Sequence, residues 1–285
     1  MERGLKLLAR EDFPPLLREI PSVPKQLYLR GELPSFERKW LAVVGSRAMT
    51  PYGKRVCEHL IAGLSGYPVV IVSGLAHGVD AQAHRCALDA GLPTIAVPGS
   101  GLDWNALYPK ANLRLAKEII EKGGALLSEE SPETTGVDWV FPRRNRIMAG
   151  MCEATLVVEA KEKSGSLITA KFATDFNREL LVVPGSIFSE ESKGSHQFLR
   201  LGAAPATCAN DILQALGITP ETKNATQRAD LSAEERRVIE LIASPLSRDE
   251  LIRTLALSTQ EANILLSTME LKGVIVEELG VIRSK

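Results

Sequence analysis

Residues 69–84 have the sequence VVIVSGLAHGVDAQAH, in which an apolar run ends at Ser73-Gly74 and a helical pattern follows. The run Val69–Val72 is apolar at every position, which is typical of a strand buried on both faces, as in a parallel sheet. The same succession recurs at five other places: Leu41–Val44, Thr94–Val97, Ala125–Leu127, Thr155–Val158 and Leu180–Val183. This alternation of strand and helix predicts an α/β fold with a doubly wound, mainly parallel sheet.

We predict four segments along the chain. Residues 1–36 are an arm packed on the main domain, because five prolines remove too many backbone donors for a long helix or a central strand. Residues 37–217 form the doubly wound domain. Residues 218–230 are polar without apolar periodicity and are predicted as a linker. Residues 231–285 form a second, smaller domain.

The second domain has the pattern of a winged helix. Ser232 and Glu235 form a capping box at the first helix, and Gly273 is a predicted C-cap. The predicted helices and wing strands are Ser232–Ser244, Ser247–Leu255, Ser258–Leu271, Val274–Val276 and Val281–Ile282. The third helix, the candidate recognition helix, contains two glutamates but no lysine or arginine, and residues 228–285 hold eight basic against ten acidic residues, a net of −2. We therefore expect this domain to contact protein or to regulate rather than to read DNA.

Composition excludes several classes of protein. The chain has 285 residues with a formal net charge of −1 and 45% hydrophobic residues, an ordinary globular composition. No apolar run approaches the ~18 residues of a membrane span, and no apolar signal region opens the sequence, so a cytoplasmic protein is expected. The four cysteines form no CxxC pair, and neither GxGxxG nor GxxxxGK[ST] occurs. A metal site, a conventional NAD or ATP site and a bound cofactor are therefore not expected.

Basic residues and glycine-rich turns follow the strand ends. Because the carboxyl ends of parallel strands meet at one edge of a sheet, here called the carboxyl edge, these residues should gather there. The total charge is balanced, but residues 38–55 hold five basic residues and no acidic one. Arginine forks and exposed backbone amides bind phosphates, and an aromatic ring offers a stacking face for a base. The candidate phosphate-binding residues are Gly45, Ser46, Arg47, Ser73, Gly74, Lys110, Asn112, Phe141, Arg143, Arg144, Asn145, Lys161, Gly165, Ser166 and Lys171.

Structural roles for several of these residues remain open alternatives. The arginines at 143–146 could pair with nearby acids, namely Glu129, Glu130, Glu133 and Asp138. Lys110 could be a solvated lysine and Ser166 an ordinary N-cap. Asp80 and His84 could be catalytic together, but we favour an N-cap aspartate and a histidine that buttresses the helix. No paired acid and base, metal cluster or nucleophile elbow is found, so an enzyme is not expected.

Six motifs together resemble the DNA-processing protein A family (DprA, also called Smf). They are VVGSR (43–47), SGLAHGVDAQAH (73–84), PGSGLDWNALYPKAN (98–112), FPRRNRIMAG (141–150), EAKEKSGSLITA (159–170) and VVPGS (182–186). The resemblance covers about residues 12–215. It implies an extended Rossmann-like domain that binds single-stranded DNA, with Arg47 and Lys110 in the DNA pocket.

The resemblance also implies partners. It implies a homodimer that protects incoming DNA and loads the RecA recombinase onto it during natural transformation. About 36 residues precede the first Rossmann strand, so the SAM-type domain of many members is expected to be absent. The alternative is a nucleotide hydrolase or phosphoribohydrolase that uses the same edge. The PGGxGTxxE signature of such relatives is not matched, because Pro98–Gly101 and Pro184–Ser186 lack the glutamate at the required spacing.

Overall fold

The predicted apolar runs form the centre of one sheet in the structure, which is a computed structural model. It describes residues 4–136, 140–219, 232–242, 246–255, 257–271, 274–278 and 280–284. The strands of this sheet are β1 (Leu5–Leu8), β2 (Leu27–Gly31), β3 (Lys39–Val44), β4 (Val69–Ser73), β5 (Thr94–Ala96), β6 (Ala125–Ser128), β7 (Ala154–Val157), β8 (Glu179–Val182) and β9 (Ala204–Pro205). The helices of the same unit are α1 (Pro51–Ala62), α2 (Val79–Asp89), α3 (Leu113–Glu121), α4 (Val140–Met151), α5 (Ser166–Asp175), α6 (Glu190–Arg200) and α7 (Ala209–Ala215).

The strand order is β1-β2-β6-β5-β4-β3-β7-β8-β9. From β3 the chain builds outward to β6 and then returns to place β7 on the other side of β3, with parallel pairing throughout β3 to β9. The predicted doubly wound fold is confirmed. Its topological switch point lies between β3 and β7, which is where ligands of open α/β sheets bind.

The sheet is buried on both faces. Along β3, Trp40, Ala42 and Val44 belong to one core cluster, whereas Leu41 and Val43 belong to another. This alternation is the two-residue period of a strand, with apolar neighbours on each side. A continuous apolar run was therefore the correct signal for these strands.

Residues before β3 extend the sheet. β2 pairs antiparallel with β6, and β1 pairs antiparallel with β2. In the segment of chain that connects β1 to β2, Phe13 and Leu17 are fully buried in the same core cluster as Trp40. Pro14 is the N-cap and Pro15 the first residue of a short 3-10 turn, Pro15–Arg18, so neither lies in a strand.

Residue contacts divide the chain into two units, Met1–Thr219 and Pro220–Lys285. The second unit contains α8 (Ala233–Leu241), β10 (Leu246–Ser247), α9 (Arg248–Leu255), α10 (Thr259–Leu271), β11 (Ile275–Glu278) and β12 (Val281–Ser284). Three helices with a three-stranded wing, in the order β10-β12-β11, are the predicted winged helix. Ser232 and Glu235 form the predicted reciprocal cap at 2.8 and 3.2 Å. The predicted linker from residue 220 onward and the cap at Gly273 lie outside the described residues.

The described helices include none with the length and apolar character needed to cross a membrane.

Candidate nucleic-acid interface

A small cavity opens at the carboxyl edge, at the switch point between β3 and β7. Its volume is about 60 Å³, and its walls come from the segments after β3, β4 and β7 together with α4. The lining residues are Val44, Gly45, Arg47, Ala76, Asp80, Arg144, Asn145, Met148, Ser164, Gly165, Ser166 and Thr169. Half of them are candidates from the sequence. They come from segments more than 100 residues apart, which the fold brings together.

Arg47 is the exposed cation at this cavity. It follows β3 in a loop whose start packs tightly, because a Cβ at Gly45 would lie 2.7 Å from the side chain of Val79. The Arg47 guanidinium lies 4.9 Å from the centre of the Phe141 ring, in a cation–π contact. Ser46 is buried, and its hydroxyl accepts a hydrogen bond from the Ala48 amide at 3.2 Å. The loop therefore presents Arg47 and holds Ser46 inward.

The loop after Arg47 is anchored by a buried carboxylate. Glu159, directly after β7, accepts hydrogen bonds from the Thr50 amide at 3.0 Å and the Thr50 hydroxyl at 2.5 Å. Thr50 in turn is the N-cap of α1 and accepts from the Gly53 amide at 3.2 Å. These bonds fix the far end of the Arg47 loop against the strand on the other side of the switch point.

Arg144 is buried beneath the cavity and braces the strand ends. Its guanidinium donates to the carbonyls of Gly74, at 2.7 Å, and of Val97, and to the Asn145 side-chain oxygen at 3.1 Å. Burial lowers the pKa of Arg144 to about 10, although the neighbouring Asp80 carboxyl acts in the opposite direction. Arg144 therefore remains charged at neutral pH. Asn145 donates to the Gly165 carbonyl at 3.1 Å and so joins α4 to the turn before α5.

The structure corrects the predicted cap at Asp80. Gly78 is the N-cap of α2, and Asp80 lies within the first helical turn. Its buried carboxyl accepts from the Ala76 amide at 3.4 Å. Burial raises the pKa of Asp80, while the positive charge of Arg144 lowers it. The carboxyl group thus serves as the buried counter-charge of Arg144.

His84 is a structural residue, as favoured from the sequence. It is fully buried, and its Nδ1 lies 2.7 Å from the hydroxyl of Thr94, which donates to the Ile71 carbonyl. Burial lowers the pKa of His84 to about 3, so the ring is uncharged at neutral pH. It does not line the cavity.

The other two arginines of the 143–146 segment pair with acids, the alternative that the sequence left open. Arg143 contacts Glu130 at 2.7 Å and Glu129 at 3.3 Å, and Arg146 contacts Glu129 at 2.5 Å. Arg143 keeps 43% of its side chain exposed, whereas Arg146 is nearly buried. Asp138, another acid considered from the sequence, lies outside the described residues.

Three further candidates donate side-chain hydrogen bonds to backbone carbonyls: Ser73, Lys110 and Asn112. The Ser73 hydroxyl donates to the Val43 carbonyl at 2.6 Å, which joins the ends of β4 and β3. The buried Asn112 amide donates to the Leu75 and Ala76 carbonyls at 2.8 and 3.1 Å. Lys110 is exposed and donates to the carbonyls of Trp104, at 3.2 Å, and Asn105. It begins a 3-10 turn, Lys110–Asn112, rather than α3 itself.

The two predicted lysines around α5 are separated by the structure. Lys161 is exposed and pairs with Glu191 at 2.9 Å, and this hydrogen bond raises the pKa of its ammonium group. Lys171 does not lie at the carboxyl edge: it lines another cavity, of about 650 Å³, beside Asn177 and Glu179 where β8 begins. Since α5 runs away from the edge at ~1.5 Å per residue, five residues separate Lys171 from Ser166 by roughly 7 Å.

Sequence reasoning missed Thr169. Thr169 lines the cavity, and its buried hydroxyl has no hydrogen-bond partner within the described ranges. It follows Ser166 by three residues, a spacing that places both on one face of α5 and could have indicated it. Ser166 is the first residue of α5, Gly165 is its N-cap, and the hydroxyls of Ser164 and Ser166 lie 2.7 Å apart. A helix N-terminus with three hydroxyls beside a cavity suits an anion.

Comparison with known proteins gives the family. The model for DNA recombination-mediator protein A matches residues 5–217, and the model for the DprA winged helix domain matches residues 222–280. The chain belongs to the DprA/Smf family. It is 41% identical to Protein Smf of Escherichia coli over 206 residues, which are 72% of this chain and 54% of that protein. It is 44% identical to DNA processing protein DprA of Streptococcus pneumoniae over 197 residues, 69% of this chain and 68% of that protein.

Solved DprA structures share the fold. DprA from Streptococcus pneumoniae has a TM-score of 0.68 and 39% identity, with 74% of each chain covered. DprA from Helicobacter pylori has a TM-score of 0.66 and 28% identity, with 76% of this chain and 98% of that chain covered. The latter structure concerns the single-stranded DNA binding mode of the Helicobacter protein. The chain spans about half the length of the Escherichia coli relative.

Proposed function

We propose that this protein binds single-stranded DNA along the carboxyl edge, without catalysing a reaction on it. The observation that carries the proposal is the cavity at the switch point, where Arg47, the N-terminus of α5 and the hydroxyl of Thr169 converge. Cations and exposed amides bind phosphates, and phosphate contacts are independent of base sequence. Arg47 and Lys110 are the primary contacts in this proposal. Gly45, Asn145, Gly165 and Ser166 line the cavity together with Arg47.

The remaining candidates take supporting positions in the same proposal. Phe141 contacts Arg47, and Arg143 is partly exposed beside Glu129 and Glu130. Ser73, Gly74, Asn112 and Arg144 hold the strand ends in place. Lys161 is an outer cation of the same edge. Lys171 is left out because it lines the other cavity, where β8 begins.

The DprA/Smf membership extends the proposal to partners. In it, the protein acts as a homodimer in the cytoplasm, protects incoming single strands and loads RecA recombinase onto them during natural transformation. A strand-exchange assay with RecA on strands covered by a single-strand binding protein tests the loading step. Stimulation of RecA filament formation by this protein is expected. A rate equal to that of RecA alone would count against this part.

The DNA-binding proposal is tested by anisotropy of a labelled oligothymidylate at two salt concentrations. Affinity should fall with salt, with a slope of about −0.7 per phosphate contact on single strands. Arg47→Ala should weaken binding severalfold or more, since a hydrogen bond to a charged group is worth ~1.5–3 kcal/mol, and should flatten the salt slope. Lys122→Ala is the matched control, because Lys122 is an exposed cation at the end of α3, next to the start of β6. Equal affinities for all three proteins would overturn the site assignment.

The nucleotide hydrolase alternative receives less support. A cavity of about 60 Å³ is far smaller than the ~300–1,000 Å³ of small-molecule sites. Among its described lining residues, the one carboxylate is Asp80, which is the counter-charge of Arg144. Incubation of the purified protein with nucleoside monophosphates should give no free base. Turnover that Arg47→Ala abolishes would reverse the ranking.

A further inference from the structure

Two aromatic rings, Tyr108 and Phe141, contact each other at the carboxyl edge next to Arg47. We call this pair the aromatic shelf. Their centres are 5.8 Å apart, and their planes meet at 51°. The Arg47 guanidinium occupies a face of Phe141 at 4.9 Å. Tyr108 is 44% exposed, so it is the ring of the shelf that is open to a ligand.

The position of each ring is built into the backbone around it. The Tyr108 amide donates to the Ser100 hydroxyl at 3.1 Å. A Cβ at Gly136 would lie 3.0 Å from Cβ of Tyr108, and a Cβ at Gly99 would lie 2.3 Å from Phe141. Two glycines thus leave just enough room for the two rings, and the shelf is preorganised rather than a pair of loose surface side chains.

The surroundings of Tyr108 indicate its ligand. Lys110, two residues on, is an exposed cation, and Arg47 contacts Phe141, the ring that Tyr108 also contacts. Cations that alternate with aromatic rings match a chain that alternates phosphates with flat bases. In a duplex the base faces are already stacked on each other, so an exposed ring gains a partner chiefly from an unpaired strand.

We propose that Tyr108 stacks on a base of the bound strand and so makes binding selective for single-stranded DNA. This inference rests on the proposed function. Phosphate contacts at Arg47 and Lys110 would hold the backbone on either side, and the shelf would take the base between them. The stack requires a π face but no particular base, so every sequence is accepted.

The test compares two labelled strands: an oligothymidylate and a strand of equal length with abasic residues, which keeps the phosphates and lacks the bases. Tyr108→Ala should weaken oligothymidylate binding roughly fivefold to a hundredfold, the range measured for a base–aromatic stack. It should leave binding of the abasic strand within about twofold of wild type, because phosphate contacts are unchanged. Tyr108→Phe, which keeps the ring, should bind both strands like wild type.

Phe36→Ala is the matched control. Phe36 is also 44% exposed and lies 5.7 Å from Trp40 at 47°, but it precedes the start of β3, at the opposite end of that strand. It should bind both strands as wild type does. Melting temperatures of all variants report whether the fold is intact.

The outcomes separate the two proposals. A wild-type protein that binds neither strand overturns the proposed function and this inference with it. Wild-type binding with an unchanged affinity of Tyr108→Ala for oligothymidylate overturns this inference alone. An equal loss on the abasic strand also overturns it, because the defect then lies in the backbone contacts. A loss confined to the strand with bases, restored by Tyr108→Phe, supports it.

Discussion

His84 shows how one buried side chain couples this fold to pH. Its ring has a pKa of about 3 in the folded protein because it is taken out of water, with the charge of Arg144 nearby as a smaller cause. In the unfolded chain its pKa is ~6.5. Between these values the unfolded chain binds a proton that the folded chain does not. Stability therefore falls as the pH drops through 6.5 toward about 3.

We predict that His84→Gln removes this dependence. As the pH is lowered, the free energy of unfolding should decrease faster for the wild type than for the variant. The difference between the two slopes should reach up to ~1.4 kcal/mol per pH unit. Urea unfolding between about pH 4.5 and pH 7 measures it, and the comparison cancels the other titrating groups, including Asp80. All three tryptophans, at 40, 104 and 139, lie in the first unit, so their fluorescence reports that unit. Parallel pH profiles for the two proteins would contradict the prediction.

The three arginines at 143–146 mark the limit of prediction for single side chains. Their local charge was evident in the sequence, but α4 directs adjacent residues ~100° apart around its axis. Arg143 therefore lies on the surface with Glu129 and Glu130, while Arg144 points inward to the strand ends. Which face of a helix is buried depends on contacts with distant segments. One cluster of charge in the sequence is therefore divided between a pair that shares Glu129, Arg143 and Arg146, and an arginine that braces the strand ends, Arg144.

The turn from β4 to α2 packs against the backbone of the Arg47 loop, and the Val79 amide donates to the Ser46 carbonyl at 3.1 Å. Gly78 has a φ of +72°, and a Cβ there would lie 2.2 Å from the Ser46 carbonyl oxygen and 2.6 Å from that of Arg47. The missing side chain is what allows the two loops to meet at the switch point. The turn therefore sets the position of the proposed phosphate contact.

We predict that Gly78→Ala lowers both stability and DNA affinity. Gly91→Ala is the matched control, since Gly91 has a φ of +68° with nothing within 4 Å of its missing Cβ. The control should lose only the ~1 kcal/mol of left-handed strain and keep its affinity for oligothymidylate. Gly78→Ala should lose more stability, because backbone must move, and should bind severalfold more weakly. Urea unfolding and anisotropy measure the two effects, and equal losses in both variants would refute this account.

Strands and helices could be predicted from the sequence where the residues of the element itself carry the signal. β3 to β8 carry apolar runs that only a strand buried on both faces requires, so each was found within two residues of its bounds. β1 pairs antiparallel with β2, and β2 pairs antiparallel with β6, which lies about 100 residues further along the chain. β9 is two exposed residues. β1 and β9 are the two edge strands of the sheet. Such strands exist because of partners elsewhere in the chain, and their own sequences give little sign of them.

At the scale of the whole molecule, the charges that matter for the proposal are divided between the two units. In the second unit, Arg248 is held by Glu270 at 3.1 Å and Glu277 at 2.8 Å. Its neighbour α10 carries Glu261 and Glu270 and no basic residue. A helix that reads the major groove normally presents cations to the phosphates on either side. Within the described residues, the first unit exposes Arg47 and Lys110 at the carboxyl edge, whereas α10 of the second unit carries no basic residue.

We predict that the two units separate in function when they are expressed apart. Residues 1–219 contain three core clusters and the entire carboxyl edge, whereas residues 220–285 have a core cluster of their own. Circular dichroism should show both fragments folded. The first fragment should bind oligothymidylate within about twofold of the full chain, which is less than ~0.5 kcal/mol. The second should show no salt-sensitive binding to duplex DNA, because α10 carries no basic residue and such binding is driven by cations at the phosphates. A large loss of affinity on removing residues 220–285, or duplex binding by that fragment alone, would assign DNA contact to the winged helix instead.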